Sequence, residues 1–113
     1  MRWINIDPGN AHTATAYHPA NFERPRRIPA AAEAWDSDYL LDEEDFVVTL
    51  TAEGIYDYFC VPHEHAGMVG RIIVGRPDRR AREGQGTGSI PEVALRAFPA
   101  IDAIMRKGVV RRS

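Results

Sequence analysis

Apolar and polar residues alternate with a period of two in several short stretches of the first 75 positions, and a longer apolar stripe at helical spacing enters near the end of the chain. Arg2 to Ile6 sets Trp3 against its neighbours and predicts a short strand. Asp7-Pro8-Gly9-Asn10 has the composition of a turn. His12 to Tyr17 predicts a second strand, with His12, Ala14 and Ala16 on one face and Thr13, Thr15 and Tyr17 on the other. His18-Pro19 stops it. Residues 19–45 are the least regular part: Arg24 to Pro29 reads as a basic, proline-bound loop, and Ala30 to Trp35 as one or two helical turns with Pro29 at the first helical position. Tyr39-Leu40-Leu41 reads as a brief edge pairing, and Asp42-Glu43-Glu44-Asp45 as a solvated acidic turn ahead of a strand.

Regular alternation returns at Phe46. Phe46, Val48 and Leu50 share one face of a predicted strand, and Ala52-Glu53-Gly54 turns the chain. Ile55 to Cys60 predicts the next strand, with Tyr56, Tyr58 and Cys60 inward and Ile55, Asp57 and Phe59 facing the other way. Tyr56, two residues after Gly54, suits a tyrosine corner, in which a phenol caps a carbonyl a few residues upstream. Val69 to Gly75 closes the sheet. Residues 76–88 are rich in Gly, Arg and Asp without apolar period and read as a linker. Ser89-Ile90-Pro91-Glu92 then has the pattern of a capping box, with Pro just inside a helix start. Val93, Leu95, Phe98, Ile101, Ile104 and Met105 approximate a helical stripe, which Pro99 is expected to break after Ala97 and Gly108 to end. The expected organisation is a β domain over 1–75, a linker over 76–88 and a helical tail over 89–110.

Composition narrows the chemistry more than the fold. A chain of 113 residues with 44% hydrophobic and 27% charged residues is an ordinary globular domain with one core. A net charge of −2 gives no sign of a nucleic-acid or membrane surface, and no run approaches the roughly 20 apolar residues that span a bilayer. The single cysteine excludes an internal disulfide and any site built from two thiolates of one chain, most structural zinc sites included.

That cysteine lies in Tyr58-Phe59-Cys60-Val61-Pro62-His63-Glu64-His65-Ala66-Gly67-Met68, between two predicted strands. The loop offers a thiolate, an imidazole three residues on and a thioether five further. Thiolate and imidazole with a weak axial thioether form the ligand set of a blue-copper site, which requires one more imidazole. His12 is the leading candidate, at the point where a polar turn runs into a β-prone segment. His18, ahead of Pro19, reads as exposed or bonded within its loop, and His65 as a solvated rim residue. The plainer readings are a buried apolar thiol at Cys60 and a core methionine at Met68. No general base, nucleophile pair or open-water ligand set is evident, so no enzyme chemistry is expected.

Gly54-Ile55-Tyr56-Asp57-Tyr58-Phe59-Cys60-Val61-Pro62-His63 with Gly67-Met68-Val69-Gly70 resembles the plastocyanin and pseudoazurin branch of the cupredoxins. Arg2-Trp3-Ile4-Asn5 followed by His12 resembles that family's strand leading to its first ligand histidine, and the likeness runs from about Arg2 to Gly75. It implies an all-β, Greek-key sandwich binding one copper ion at a type 1 site through His12, Cys60, His63 and Met68. It also implies single-electron transfer between redox protein partners, with His63 as the exit route and an outward-facing Phe59 as a second, and a periplasmic or extracellular location. The alternatives are a copper storage or delivery module and a non-redox scaffold.

Two departures stand out. The family usually has asparagine after the first histidine, tying the two ligand loops, and here the residue is Thr13. The family also places a β-hairpin before the first strand, so the chain is expected to start late, with Met1 where valine is common. On that expectation Trp3 and Ile4 lie on an exposed face and an open edge, inviting association, and the C-terminal helix covers part of that surface.

Overall fold

A computed structural model describes residues 1–6, 9–75 and 90–99. Five strands account for most of its regular structure: β1 (Arg2–Ile4), β2 (Thr15–Ala16), β3 (Asp45–Val47), β4 (Gly54–Phe59) and β5 (Val69–Val74). A 3₁₀ helix spans Val61–Ala66 and a helix, α1, spans Glu92–Ala97. The strands form two antiparallel sheets, β1–β3 and β2–β4–β5. In the first, Trp3 lies opposite Phe46; in the second, Tyr58 lies opposite Gly70. Only glycine fits at 70, because a Cβ there would stand 2.2 Å from the Tyr58 ring.

The sheets face each other across an aromatic layer. Ala16, Ile28, Trp35 and Tyr56 are its buried members, and Trp3 and Phe46 from the first sheet pack against them with Tyr58, Ile72 and Val74 from the second. Val48 and Leu50 join Phe46 there, as their alternation requires, although the strand itself is only Asp45–Val47. The Tyr56 hydroxyl donates to the Ala52 carbonyl, which is the expected tyrosine corner. The other face of β4 is closed as well. Phe59 packs there with Tyr17, Val69, Ile90 and Ala94, so α1 lies over this face. Beneath it, Asp57 is fully buried and takes Arg27 Nε at 2.8 Å and Arg71 Nε at 2.7 Å. Both guanidiniums sit 4.9 Å from the Phe98 ring, and Arg71 also donates to the Pro99 carbonyl.

Several expectations are corrected. Ala30–Trp35 is not helical: one bond, from Ala32 N–H to Pro29 O, makes a turn, and the chain then extends. Trp35 and the residues after it are needed elsewhere. Its carbonyl takes the Ala16 N–H, Thr15 bridges Asp36, and the indole fills the aromatic layer. The His12–Tyr17 segment yields only a two-residue strand. Its amides go to different partners: His12 to Leu40, Ala14 to the Ser37 hydroxyl, and Tyr17 to Asp57. The bridge to Leu40 is the edge pairing expected near Tyr39–Leu41. Helix α1 begins at Glu92 with Pro91 at its cap and no side-chain capping bond, and it ends at Ala97, where Pro99 was expected to break it. Its described turns cover Phe59, not the Trp3–Ile4 face, where Ile4 is 46% exposed. The expected linker over 76–88, Ser89 of the capping box, and the stripe beyond Pro99 with its Gly108 stop lie outside the described residues.

Candidate metal centre

Strand β4 ends at Phe59, and Cys60 continues it in extended conformation (φ −95°, ψ 118°). Pro62 then sets the first turn of the 3₁₀ helix. Gly67 ends that helix in the left-handed region at φ 81°, a conformation glycine adopts without steric cost. The loop closes on itself: Met68 N–H donates to His63 O at 3.2 Å and Cys60 N–H to Met68 O at 3.0 Å. His12 arrives from a different element. Its backbone exchanges two hydrogen bonds with Leu40, at 2.7 and 3.2 Å. The buried Asn5 side chain ties the same loop by donating to the carbonyls of Asn10 and Leu40.

The outcome is a cluster of three donors. One ligand atom each from His12, Cys60 and His63 lies within 4.8 Å of the others. Cys60 Sγ is 3.7 Å from His12 Nδ1 and 3.3 Å from His63 Nδ1, and the two imidazole centroids are 4.8 Å apart. The thiol is buried and the imidazoles are half-buried. The Met68 side chain, 38% exposed, lines a cavity that Trp3, Ile4, His12, Cys60 and Val69 also line. At about 630 Å³ that cavity is far larger than one ion needs, so His12, Cys60 and Met68 form part of its wall rather than enclose it. His18 and His65 stand outside the cluster. His18 Nδ1 accepts from the Ala20 N–H and its Nε2 lies 2.7 Å from Arg26, while His65 is exposed.

Thr13, the departure from the family's asparagine, still ties the two loops. Its hydroxyl accepts from the Val61 N–H at 2.8 Å and from the Thr15 hydroxyl at 2.9 Å, joining the two donor-bearing loops. Its own N–H points at Cys60 Sγ, at 3.4 Å. Burial pushes the Cys60 thiol above its ordinary range, and the backbone N–H groups of Thr13 and His63 partly offset that by favouring the thiolate. Removing the N–H at Pro62 therefore does not leave the sulfur without donors.

Phe59 does not face outward. It is 1% exposed, stacked on Tyr17 with ring centroids 4.4 Å apart and covered by α1. Other residues at the site carried no sequence signal. Glu64, in the middle of the loop, is 1% exposed and is held by the Tyr17 hydroxyl and by Arg24, each at 2.6 Å. Asn5 looked like one polar position in a strand. Neither spacing nor composition distinguishes such residues from solvated ones.

A thiolate between two imidazoles, with a thioether on the same cavity, suits a soft, redox-active ion such as copper better than a hard cation, which would call for carboxylates and carbonyls. With the paired antiparallel sheets, that donor set defines a mononuclear copper protein on a β-sandwich. The comparisons make the class specific: residues 3–75 match the copper binding proteins of the plastocyanin/azurin family, and the chain belongs to that family. It is a cupredoxin of the plastocyanin and pseudoazurin type, and copper is its metal. It is 42% identical over 55 residues to a plastocyanin of Lactuca sativa, covering 42% of this chain and 54% of that one. To a chloroplastic plastocyanin of Chlamydomonas reinhardtii it is 58% identical over 38 residues, 33% of this chain and 26% of that one. The chain thus spans about half the length, or less, of the curated relatives it matches. A pseudoazurin from Sinorhizobium meliltoi superposes with a TM-score of 0.62 at 28% identity, covering 96% of this chain and 74% of that one.

Proposed function

We propose that this protein is a single-electron carrier whose type 1 copper ion is held by His12, Cys60 and His63, with Met68 as a weak fourth ligand. The observation that carries this reading is the convergence of the three donor atoms within 4.8 Å of one another. The ion, when bound, supplies a one-electron couple between Cu(II) and Cu(I), which the thiolate and imidazoles both accommodate. The protein's part is to keep the donors still. Thr13 locks the two loops together, the Met68 and Cys60 backbones close the second loop, and Asn5 fixes the first. Donors that stay in place in both oxidation states keep the reorganisation on electron transfer small.

His63, half-buried at the edge of the sandwich, is the exit toward a partner. With Phe59 sealed under α1, the route through it leads into the core rather than to a docking face. The partners are an electron donor and an electron acceptor protein, met in a periplasmic or extracellular compartment. Among the described residues no helix is long and apolar enough to cross a membrane.

Adding Cu(II) to the metal-free protein is expected to produce the intense visible band of thiolate-to-copper charge transfer. Cys60→Ser abolishes the band while the fold survives. His12→Ala loses tight Cu(II) binding, whereas His18→Ala and His65→Ala keep it; equal loss from His18→Ala would move the upstream ligand. Reversible one-electron cycling without loss of metal separates the carrier from a copper delivery module, and absence of the band would leave the scaffold reading.

A further inference from the structure

Glu64 is out of place as an ordinary loop residue. It sits at the apex of the loop bearing Cys60, His63 and Met68, where its neighbours Pro62, His65 and Ala66 are exposed, yet it is 1% exposed. A buried carboxylate is costly unless it is paired and hydrogen-bonded. Here both oxygens are used: Oε2 accepts from the Tyr17 hydroxyl and Oε1 from Arg24, each at 2.6 Å, lengths typical of strong charge-assisted bonds.

Tyr17 is the hub. It follows His12 by five residues on the same segment, and its N–H is tied to the Asp57 carbonyl on β4. Its ring stacks on Phe59, the residue before Cys60, with a 27° interplanar angle, and its hydroxyl holds the residue after His63. The Arg24 guanidinium lies 5.6 Å from the Phe59 ring, adding a cation–π contact to the same group. One buried phenol therefore touches the neighbours of two proposed ligands and shares a segment with the third.

We infer that Tyr17, with Glu64 and Arg24, is a positioning residue for the metal centre: it fixes the His63 imidazole relative to Cys60 by anchoring the loop from the side opposite the donors. The inference rests on the ligand assignment above. His63 and Glu64 are consecutive in a 3₁₀ turn, so the two side chains project to different sides and the grip on one sets the orientation of the other. Without the anchor, the loop keeps its backbone closure at Met68 and the Thr13 bond at Val61, but loses the two side-chain bonds that hold Glu64 in the middle of the 3₁₀ helix. A network that served stability alone would lower the melting temperature without changing the metal's environment.

The test uses Tyr17→Phe, which removes one hydroxyl, and Glu64→Gln, which keeps shape and removes charge. Arg24→Lys is the conservative control. Two readouts are taken. In the metal-free protein, amide hydrogen exchange at His63 to Gly67 is expected to speed up about tenfold in the first two variants and to stay near the parent in Arg24→Lys. In the copper-loaded protein, Cu(II) affinity is expected to fall about tenfold, the usual scale for losing a partner that orients a ligand, with a changed intensity ratio of the charge-transfer bands. If Tyr17→Phe does not fold, Arg24→Gln, made at the more exposed end of the network, takes its place.

Cu(II) affinity and band ratio equal to the parent in folded variants would overturn the inference, whatever the exchange rates. A parent without the charge-transfer band would sink the carrier reading instead, and faster exchange in the variants would still support the anchor. The two failures are thus told apart.

Discussion

The two faces of β4 are built by different physics. On the face that ends in Cys60, Tyr56 and Tyr58 meet Trp35 and Trp3 in an aromatic layer whose outer members are only half-buried. Trp3 lies 5.2 Å from Tyr58 and 5.8 Å from Trp35, and the layer opens into the cavity beside the donors. On the opposite face, Phe59 and Asp57 are shut in by Tyr17, Arg27, Arg71 and α1, with a charge cluster at the centre. The open face holds the donor cluster, and the closed face holds the strand that leads to it. A metal site needs access and exact donor placement together, and here each requirement is met by a different side of the same six residues.

The largest expected effect comes from breaking the closed face at its charge. Asp57→Ala removes the buried carboxylate that two buried guanidiniums share, and it is expected to cost about 3–5 kcal/mol in denaturant unfolding. A cost below about 1 kcal/mol would mean that the cluster breaks even against water and that the contrast between the faces is one of packing alone. The next test compares one phenylalanine from each layer. Phe59→Ala, deep in the closed face, is expected to cost about 3–5 kcal/mol. Phe46→Ala, half-buried over the open face, is expected to cost about 1–2 kcal/mol, and equal costs would erase the distinction. Tyr56→Phe removes only the corner hydrogen bond and should cost about 1 kcal/mol, with the charge-transfer band of the copper form unchanged.

The smallest effect is one of pH. Burial raises the phenol of Tyr17 on the closed face and that of Tyr58 on the open face above the ordinary value of 10.0, and at Tyr17 the Glu64 carboxylate adds to the shift. Above that value the unfolded chain releases these protons while the folded chain keeps them. Stability is therefore constant on this account below about pH 10 and falls as pH rises beyond it. Tyr17→Phe should flatten the decline more than Tyr58→Phe does, as read from denaturation midpoints on either side of pH 10. The reverse order would place the tighter burial on the open face.

Much of the open face was legible in the sequence, because its information is local. Cys60, His63 and Met68 lie within nine residues, Gly54 and Tyr56 announce the corner, and alternation places Phe46, Val48 and Leu50 together. The closed face was not legible. Period two assigns Ile55, Asp57 and Phe59 to one side of a strand, but it does not say what covers that side, and a charged residue in the middle suggests solvent. The cover comes from Arg27 and from Phe98, 30 residues before Asp57 and 41 after it. The same reason undid the helix expected at Ala30–Trp35: local propensity favoured it, while the distant aromatic layer required Trp35 in extended chain.

The Thr13 hydroxyl that joins the donor loops has a consequence in time. The bonds that bring the donors together span 47 or 48 residues: Thr13 to Val61, Thr13 to Cys60 and Tyr17 to Glu64. Closing so long a loop is entropically expensive and gives little return until the sheets have docked, so these contacts belong to the late stage of folding. On the proposed ligand assignment, copper capture is then a clock hand: in a refolding mixture the charge-transfer colour should develop after the β4–β5 hairpin has formed, and its rate should report the final docking of the His12 segment rather than the encounter with the ion.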